Sequence, residues 1–143
     1  MKSKIKSVLL IDDTEIDLYI TRSMMESINF SETILTRTSA VEALAFLQMN
    51  ADNPLQIPEL IFLDIRMPVM DGFAFLDEFE KLPASIRQTC DIYMLSSSMD
   101  AEDLQQVNSN PYVKSFISKP ITPAILSQIQ NDIQNLKLKS QLK

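Results

Sequence analysis

The amino-acid sequence predicts a doubly wound α/β fold, a five-stranded parallel sheet flanked by five helices. Short β-like runs alternate with amphipathic segments along the whole chain. Three of the runs, Val8-Leu9-Leu10-Ile11, Leu60-Ile61-Phe62-Leu63 and Ile92-Tyr93-Met94-Leu95, are apolar without alternation. Strands of that kind are covered on both faces, as in a parallel sheet sandwiched between helices. Size agrees: 143 residues make one domain, which buries roughly 68–70% of its unfolded surface in a single core.

In chain order, the expected strands are Ile5–Ile11, Thr33–Arg37, Leu60–Asp64, Ile92–Ser96 and Val113–Ile117. After the first strand, Thr14 precedes Ile16, Ile20 and Met24, whose four-residue spacing marks one helical face. Ser39-Ala40-Val41-Glu42 is a capping-box pattern that opens a helix through Leu44 and Leu47. Asp71 can cap a helix carrying Phe73, Leu76 and Phe79, and Asp100 a short polar one through Val107. Thr122 before Pro123 caps the last helix, with Leu126, Ile129, Ile133 and Leu136 as its buried stripe. The stretches Asn50–Pro58 and Pro83–Cys90 read as loops, and Lys137–Lys143 as a frayed end. The five βα units imply right-handed crossovers. There is no repeat, low-complexity segment or interdomain linker; the expectation is one domain over 5–138, a tail over 139–143 and no output domain.

Composition removes several chemistries. Thirteen basic against nineteen acidic residues leave a formal charge of −6, contrary to what a nucleic-acid surface requires. Without a histidine there is no Ser-His-Asp or Cys-His catalysis and no His-ligated metal. The single cysteine, Cys90, forms no internal disulfide and reads as a small core residue. The longest apolar runs, such as Ala43–Leu47, are too short to cross a membrane. Lys2, Lys4 and Lys6 resemble a signal-peptide n-region, but the apolar stretch after them runs straight into Asp12-Asp13, so a reduced cytoplasm is the expected location. The one glycine, Gly72, rules out a P-loop or dinucleotide fingerprint.

Open parallel sheets bind ligands beyond the carboxyl ends of their strands. Here those ends carry Asp12-Asp13, Asp64, Ser96 and, after the fifth, Lys119-Pro120. Each alone could be an ordinary loop or capping residue; their joint placement is the functional signal. Two unit charges about 4 Å apart repel by roughly 4 kcal/mol at an effective dielectric of about 20, so clustered carboxylates call for a proton, a cationic partner or a bridging cation. Ligation by oxygen alone favours a hard ion, Mg²⁺ before Ca²⁺. A carboxylate beside such an ion and a lysine suits acceptance of a phosphoryl group as an acyl phosphate.

The strings Leu10-Ile11-Asp12-Asp13, Asp64-Ile65-Arg66-Met67-Pro68-Val69-Met70-Asp71-Gly72, Met94-Leu95-Ser96 and Phe116-Ile117-Ser118-Lys119-Pro120 resemble the receiver domain of two-component response regulators, over roughly residues 5–138. The resemblance implies a flavodoxin-like, CheY-like fold of the stand-alone type. It implies that Asp64 accepts phosphate from a phosphohistidine on a sensor histidine kinase or histidine phosphotransfer protein. Asp12, Asp13, Asp64 and the backbone carbonyl of Arg66 would hold Mg²⁺. Ser96 would be the switch hydroxyl and Lys119 the partner of a phosphoryl oxygen, with the Lys119-Pro120 bond cis. Phe116 would be the switch aromatic that turns inward, where Tyr is frequent in the family; without the motif it reads as a core residue. Met67, Met70 and Phe73 look like structural supports. Arg66 stands where the family varies and either alters hydrolysis of the phosphoryl-Asp or lies on the surface.

The chain is thus expected to be a signalling protein rather than an enzyme, its chemistry limited to Mg²⁺-dependent phosphorylation and dephosphorylation of Asp64. It would act through a downstream protein partner and the surface of the helix after the fourth strand, the fifth strand and the last helix. Direct nucleic-acid contact and membrane insertion are not expected, and homodimerisation through the last helix stays open. A Mg²⁺-dependent phosphatase of the haloacid dehalogenase type is the alternative, although that class carries Asp-x-Asp after its first strand. A scaffold that never accepts phosphate is a third reading.

Overall fold

The computed structural model describes residues 5–98 and 100–141. Lys2 and Lys4, which with Lys6 resemble a signal-peptide n-region without the apolar stretch that would make one, lie outside the described residues, as do Leu142 and Lys143 of the expected tail. The chain runs β1 (Ser7–Ile11), α1 (Glu15–Ser27), β2 (Thr33–Arg37), α2 (Ala40–Met49), β3 (Leu60–Asp64), α3 (Gly72–Phe79), α4 (Ala84–Thr89), β4 (Asp91–Ser96), α5 (Ala101–Ser109), β5 (Val113–Ser118) and α6 (Pro123–Gln141). All strands pair in parallel in the order β2-β1-β3-β4-β5. The order reverses between β1 and β3, which makes their carboxyl ends the switch point where such sheets bind ligands.

Successive strand residues point to opposite faces, and each face has its own core. Leu9, Ile11, Ile61, Leu63, Ile92 and Met94 pack under α2 to α5, against Leu47, Phe75, Phe79, Ile86 and Val107. Val8, Leu10, Leu60, Phe62, Tyr93 and Leu95 pack under α1 and α6, against Leu18, Met25, Leu126, Ile129 and Ile133. The unalternating strands are therefore explained by two cores of apolar side chains. Cys90 belongs to the first; its thiol donates to the Pro58 carbonyl at 3.1 Å, and burial pushes it up to about 12.

The caps form as the sequence implies: Ser39 accepts from the Glu42 amide at 3.1 Å, Asp71 from Ala74 at 2.9 Å, Asp100 from Asp103 at 2.8 Å and Thr122 from Ile125 at 3.2 Å.

Several expectations need correction. The described residues form six helices rather than five, because Pro83–Cys90 contains α4; six residues burying one apolar side chain, Ile86, show no periodicity to read. Asn50–Pro58 contains a 3-10 turn at Pro54–Gln56. In α1 the stripe Ile16, Ile20, Met24 is not the buried face: Ile16 and Ile20 are 65% and 51% exposed, and Leu18 and Met25, two turns apart, face the sheet. In α3 Phe75 joins Leu76 and Phe79 in the core while Phe73 is only half-buried. Leu136 is exposed, and α6 continues through Gln141 instead of fraying at Lys137, whose ammonium lies 2.8 Å from Glu59. No helix of the described residues is long and apolar enough to cross a membrane.

Candidate phosphoacceptor site

Chain direction assembles the site. β1 and β3 are neighbours in register, Ile11 beside Leu63, so Asp12-Asp13 and Asp64 leave the sheet side by side. Asp64 pairs with Leu95 of β4, and Ser96 follows one residue on. The Ser96 carbonyl accepts from the Lys119 amide at 2.9 Å, which brings the end of β5 to the same edge. The Lys119-Pro120 bond is cis, as the motif implies.

Carboxylate oxygens of Asp12, Asp13 and Asp64 lie within 4.8 Å of one another, Asp12 and Asp64 buried and Asp13 exposed. Lys119 Nζ sits 2.7 Å from Asp12, 3.3 Å from Asp17 and 3.5 Å from Asp64. Asp12 uses its other oxygen to accept from the Thr14 amide at 2.9 Å, which fixes the entry into α1. Burial, followed by the charge of Asp12, raises Asp64 to about 6; Lys119 and a backbone hydrogen bond from Arg66 oppose the rise. Burial lowers Lys119, but hydrogen bonding and charge from Asp12, then charge from Asp64, more than offset it, and its pKa is raised.

The donor set suits a hard divalent cation. Three carboxylate oxygens within 4.8 Å of one another can converge on one small ion, and oxygen-only ligation suits Mg²⁺. The cluster's negative charge exceeds what one ammonium balances.

Gly72 makes the loop after Asp64 tight. A Cβ there would lie 2.9 Å from Ile65 Cα and 3.0 Å from the Asp64 carbonyl, both backbone atoms that cannot step aside. The Gly72 amide donates to the Ile65 carbonyl at 2.8 Å, closing the loop. Between them Val69, fully exposed, has φ 69°, and the Met70 amide donates to the Pro68 carbonyl at 2.7 Å in a γ-turn.

Residues 8–131 match the family of the response regulator receiver domain. The chain belongs to that family. This receiver is similar to a two-component response regulator from Cytophaga hutchinsonii, with a TM-score of 0.84 and 30% identity, covering 92% of this chain and 98% of that one. It is 29% identical over 117 residues to the polar-differentiation response regulator DivK of Brucella ovis, spanning 80% of this chain and 88% of DivK. The CheY of Borrelia burgdorferi, solved with CheX, BeF3 and Mg²⁺, shares the fold at 22% identity and a TM-score of 0.72, covering 90% of this chain and 89% of that one. The protein is thus a response regulator receiver of two-component systems, and the phosphatase alternative receives no support.

Of the residues singled out in the sequence, Asp12, Asp13, Asp64 and Lys119 come together directly. Ser96 is fully buried at the same edge, with its hydroxyl donating to the Ser98 carbonyl and accepting from the Ser98 amide at 3.1 Å. Phe116 pairs with Met94 in the sheet and packs half-buried against the core under α2 to α5. Arg66 is half-exposed and pairs its guanidinium with Asp103 of α5. Sequence reasoning missed Asp17 and Asp103. Both are acids in the first turn of a helix, a position that ordinary helix-dipole chemistry already explains.

Proposed function

We propose that Asp64 accepts a phosphoryl group from a phosphohistidine on a sensor histidine kinase or histidine phosphotransfer protein, and that the phosphorylated receiver engages a downstream protein partner. The observation that carries this reading is the Asp64 carboxylate, buried at the switch point among Asp12 and Asp13 with the Lys119 ammonium 3.5 Å away. With its pKa raised only to about 6, the carboxylate is ionised at neutral pH and able to attack. An Asp64 oxygen bonds to phosphorus, the phosphorus–nitrogen bond breaks, and the donor imidazole leaves with the electron pair and takes up a proton.

Asp12, Asp13, Asp64 and the Arg66 carbonyl would hold Mg²⁺, which when bound supplies positive charge to the transferring oxygens. Lys119, fixed by Asp12 and Asp17, adds its ammonium to the same oxygens. The donor meets apolar surface at the mouth: Ile16, Tyr19 and Ile20 of α1 are exposed, and Ile20 and Thr21 line a cavity of about 350 Å³ with Lys119, Pro120 and Ile121.

Phosphorylation takes the acceptor from about −1 toward −2 and adds acceptor oxygens. Ser96 leaves Ser98 to bond one of them, and the space it vacates admits Phe116. The partner-binding surface is that of α5, β5 and α6. On this reading the protein is a cytoplasmic signalling switch and not an enzyme with an external substrate.

Incubation with a small phosphodonor and Mg²⁺ is expected to give one acid- and base-labile phosphate per chain, abolished in Asp64→Asn. Labelling of the mutant at the wild-type level would reject the acceptor. Beryllofluoride with Mg²⁺ is expected to shift amide resonances along Ser96–Phe116; an unchanged spectrum there would reject the switch.

A further inference from the structure

We infer that the Arg66–Asp103 ion pair is a clasp that holds α5 against the phosphoacceptor loop, and that a phosphoryl group on Asp64 opens it by drawing off the guanidinium. The inference rests on the acceptor reading of Asp64 and concerns a pair to which that reading gives no role.

Little apolar packing holds α5 in place. Its nine residues, Ala101–Ser109, bury one apolar side chain, Val107; Leu104 is 42% exposed. The other buried residue is Asp103, a carboxylate. A charge removed from water in a helix's first turn is tolerated when a partner compensates it, and leaving it alone is strongly unfavourable. The partner is Arg66, thirty-seven residues away in sequence. The first turn of α5 therefore depends on a side chain that belongs to the loop after Asp64.

Arg66 is placed to sense the acceptor. Its backbone amide hydrogen-bonds the Asp64 carboxylate while its guanidinium reaches Asp103. The guanidinium is about half exposed, free to swing, whereas Asp103 is enclosed. A phosphoryl group two residues back offers more charge and more acceptor oxygens than a single carboxylate, in a geometry the planar guanidinium matches in pairs. Movement of Arg66 leaves Asp103 uncompensated, and the helix end lifts to hydrate it. Because α5 packs on β5, and Val107 and Phe116 share one core, release of α5 also loosens the wall beside Phe116.

The test is hydrogen exchange of α5 amides in wild type, Asp103→Asn, Arg66→Met and Arg66→Lys, each with and without a small phosphodonor and Mg²⁺, with phosphate incorporation read by intact mass. Arg66 is a surface side chain, so its variants keep the fold. Phosphorylation of wild type is expected to raise exchange at Leu104–Val107 by about tenfold or more. Arg66→Met, which leaves the Asp103 charge unpaired, is expected to show that rise without phosphate and little further change with it. Arg66→Lys is expected to restore much of the protection, and Asp103→Asn, with no charge to hydrate, to show a smaller unphosphorylated rise than Arg66→Met. Normal incorporation with unchanged α5 exchange in wild type, wild-type protection in unphosphorylated Arg66→Met, or a larger unphosphorylated rise in Asp103→Asn than in Arg66→Met would overturn the clasp alone. Absence of incorporation in wild type would overturn the acceptor reading and the clasp's trigger with it.

Discussion

α3 and α5 leave adjacent strands of the same sheet on the same face, and both start with an aspartate that accepts from the amide three residues on. Their anchoring could hardly differ more. α3 buries Gly72, Phe75, Leu76 and Phe79, and α5 buries only Val107 and a charged Asp103. Equal caps settle where a helix begins; buried apolar area settles how firmly it stays. The receiver thus has a fixed helix downstream of Asp64 and a loosely held one beside it, the arrangement the proposed switch requires, since mobile elements come from the low-stability end of a structure.

The contrast is broken most severely at Phe75. Phe75→Ala is expected to destabilise the whole domain by about 3–5 kcal/mol in urea unfolding, whereas Val107→Ala costs about 2 kcal/mol or less and shows mainly as faster amide exchange within α5. If the two variants lowered the unfolding midpoint equally, α5 would be as much part of the global core as α3.

Gly72→Ala tests the contact that fixes α3 to the acceptor. The added Cβ meets the Asp64 and Ile65 backbone, so α3 must move outward, with an expected loss of about 1–3 kcal/mol and a lower phosphate yield at Asp64. A fully stable variant with normal yield would show that the loop yields where the geometry says it cannot.

The strand ends themselves differ in charge, Asp64 before α3 and Ser96 before α5. In the folded protein Asp64 holds its proton up to about pH 6, against an ordinary value of 3.8. Between those values the unfolded chain ionises first, so this group's contribution to stability falls as pH rises from about 4 to about 6 and stays low above it. Without added divalent cation, Asp64→Asn should therefore unfold at higher urea than wild type at pH 7.5, and the gap should close toward pH 4. Ser96→Ala, which removes no charge, should show no such pH dependence. A gap that widened on acidification would reverse the sign of the argument.

The same division separates what the sequence made legible from what it did not. Strands, caps and the Asp12, Asp64, Ser96, Lys119 constellation could be read because each is local or lies at a strand end that the fold class itself locates. The buried face of α1 was misread because that helix carries apolar residues on two sides, and only packing decides that Leu18 and Met25, not Ile16 and Ile20, turn inward. α4 was too short to show a period. Asp17 and Asp103 looked like ordinary first-turn acids because their partners, Lys119 and Arg66, are 102 and 37 residues distant.

The smallest expected effect lies in the loop that joins Asp64 to α3. Among the described residues, Asn29 and Val69 are the non-glycine residues with positive φ, 52° and 69°. Asparagine tolerates that region, but for a β-branched side chain it is a steric outlier. Val69 has no compensating burial, being fully exposed. Strain of this kind costs on the order of 1–3 kcal/mol, and glycine relieves it at the cost of about 0.5–1 kcal/mol in unfolded-chain entropy. Val69→Gly should accordingly stabilise the domain by about 1 kcal/mol in urea unfolding. Asn29→Gly, made as the matched control, should change it by a few tenths at most. Equal effects at the two positions would show that the γ-turn stores no strain beside the acceptor. The expected difference would show that the firm side of the site holds its geometry against a local penalty, which only a well-anchored α3 can impose.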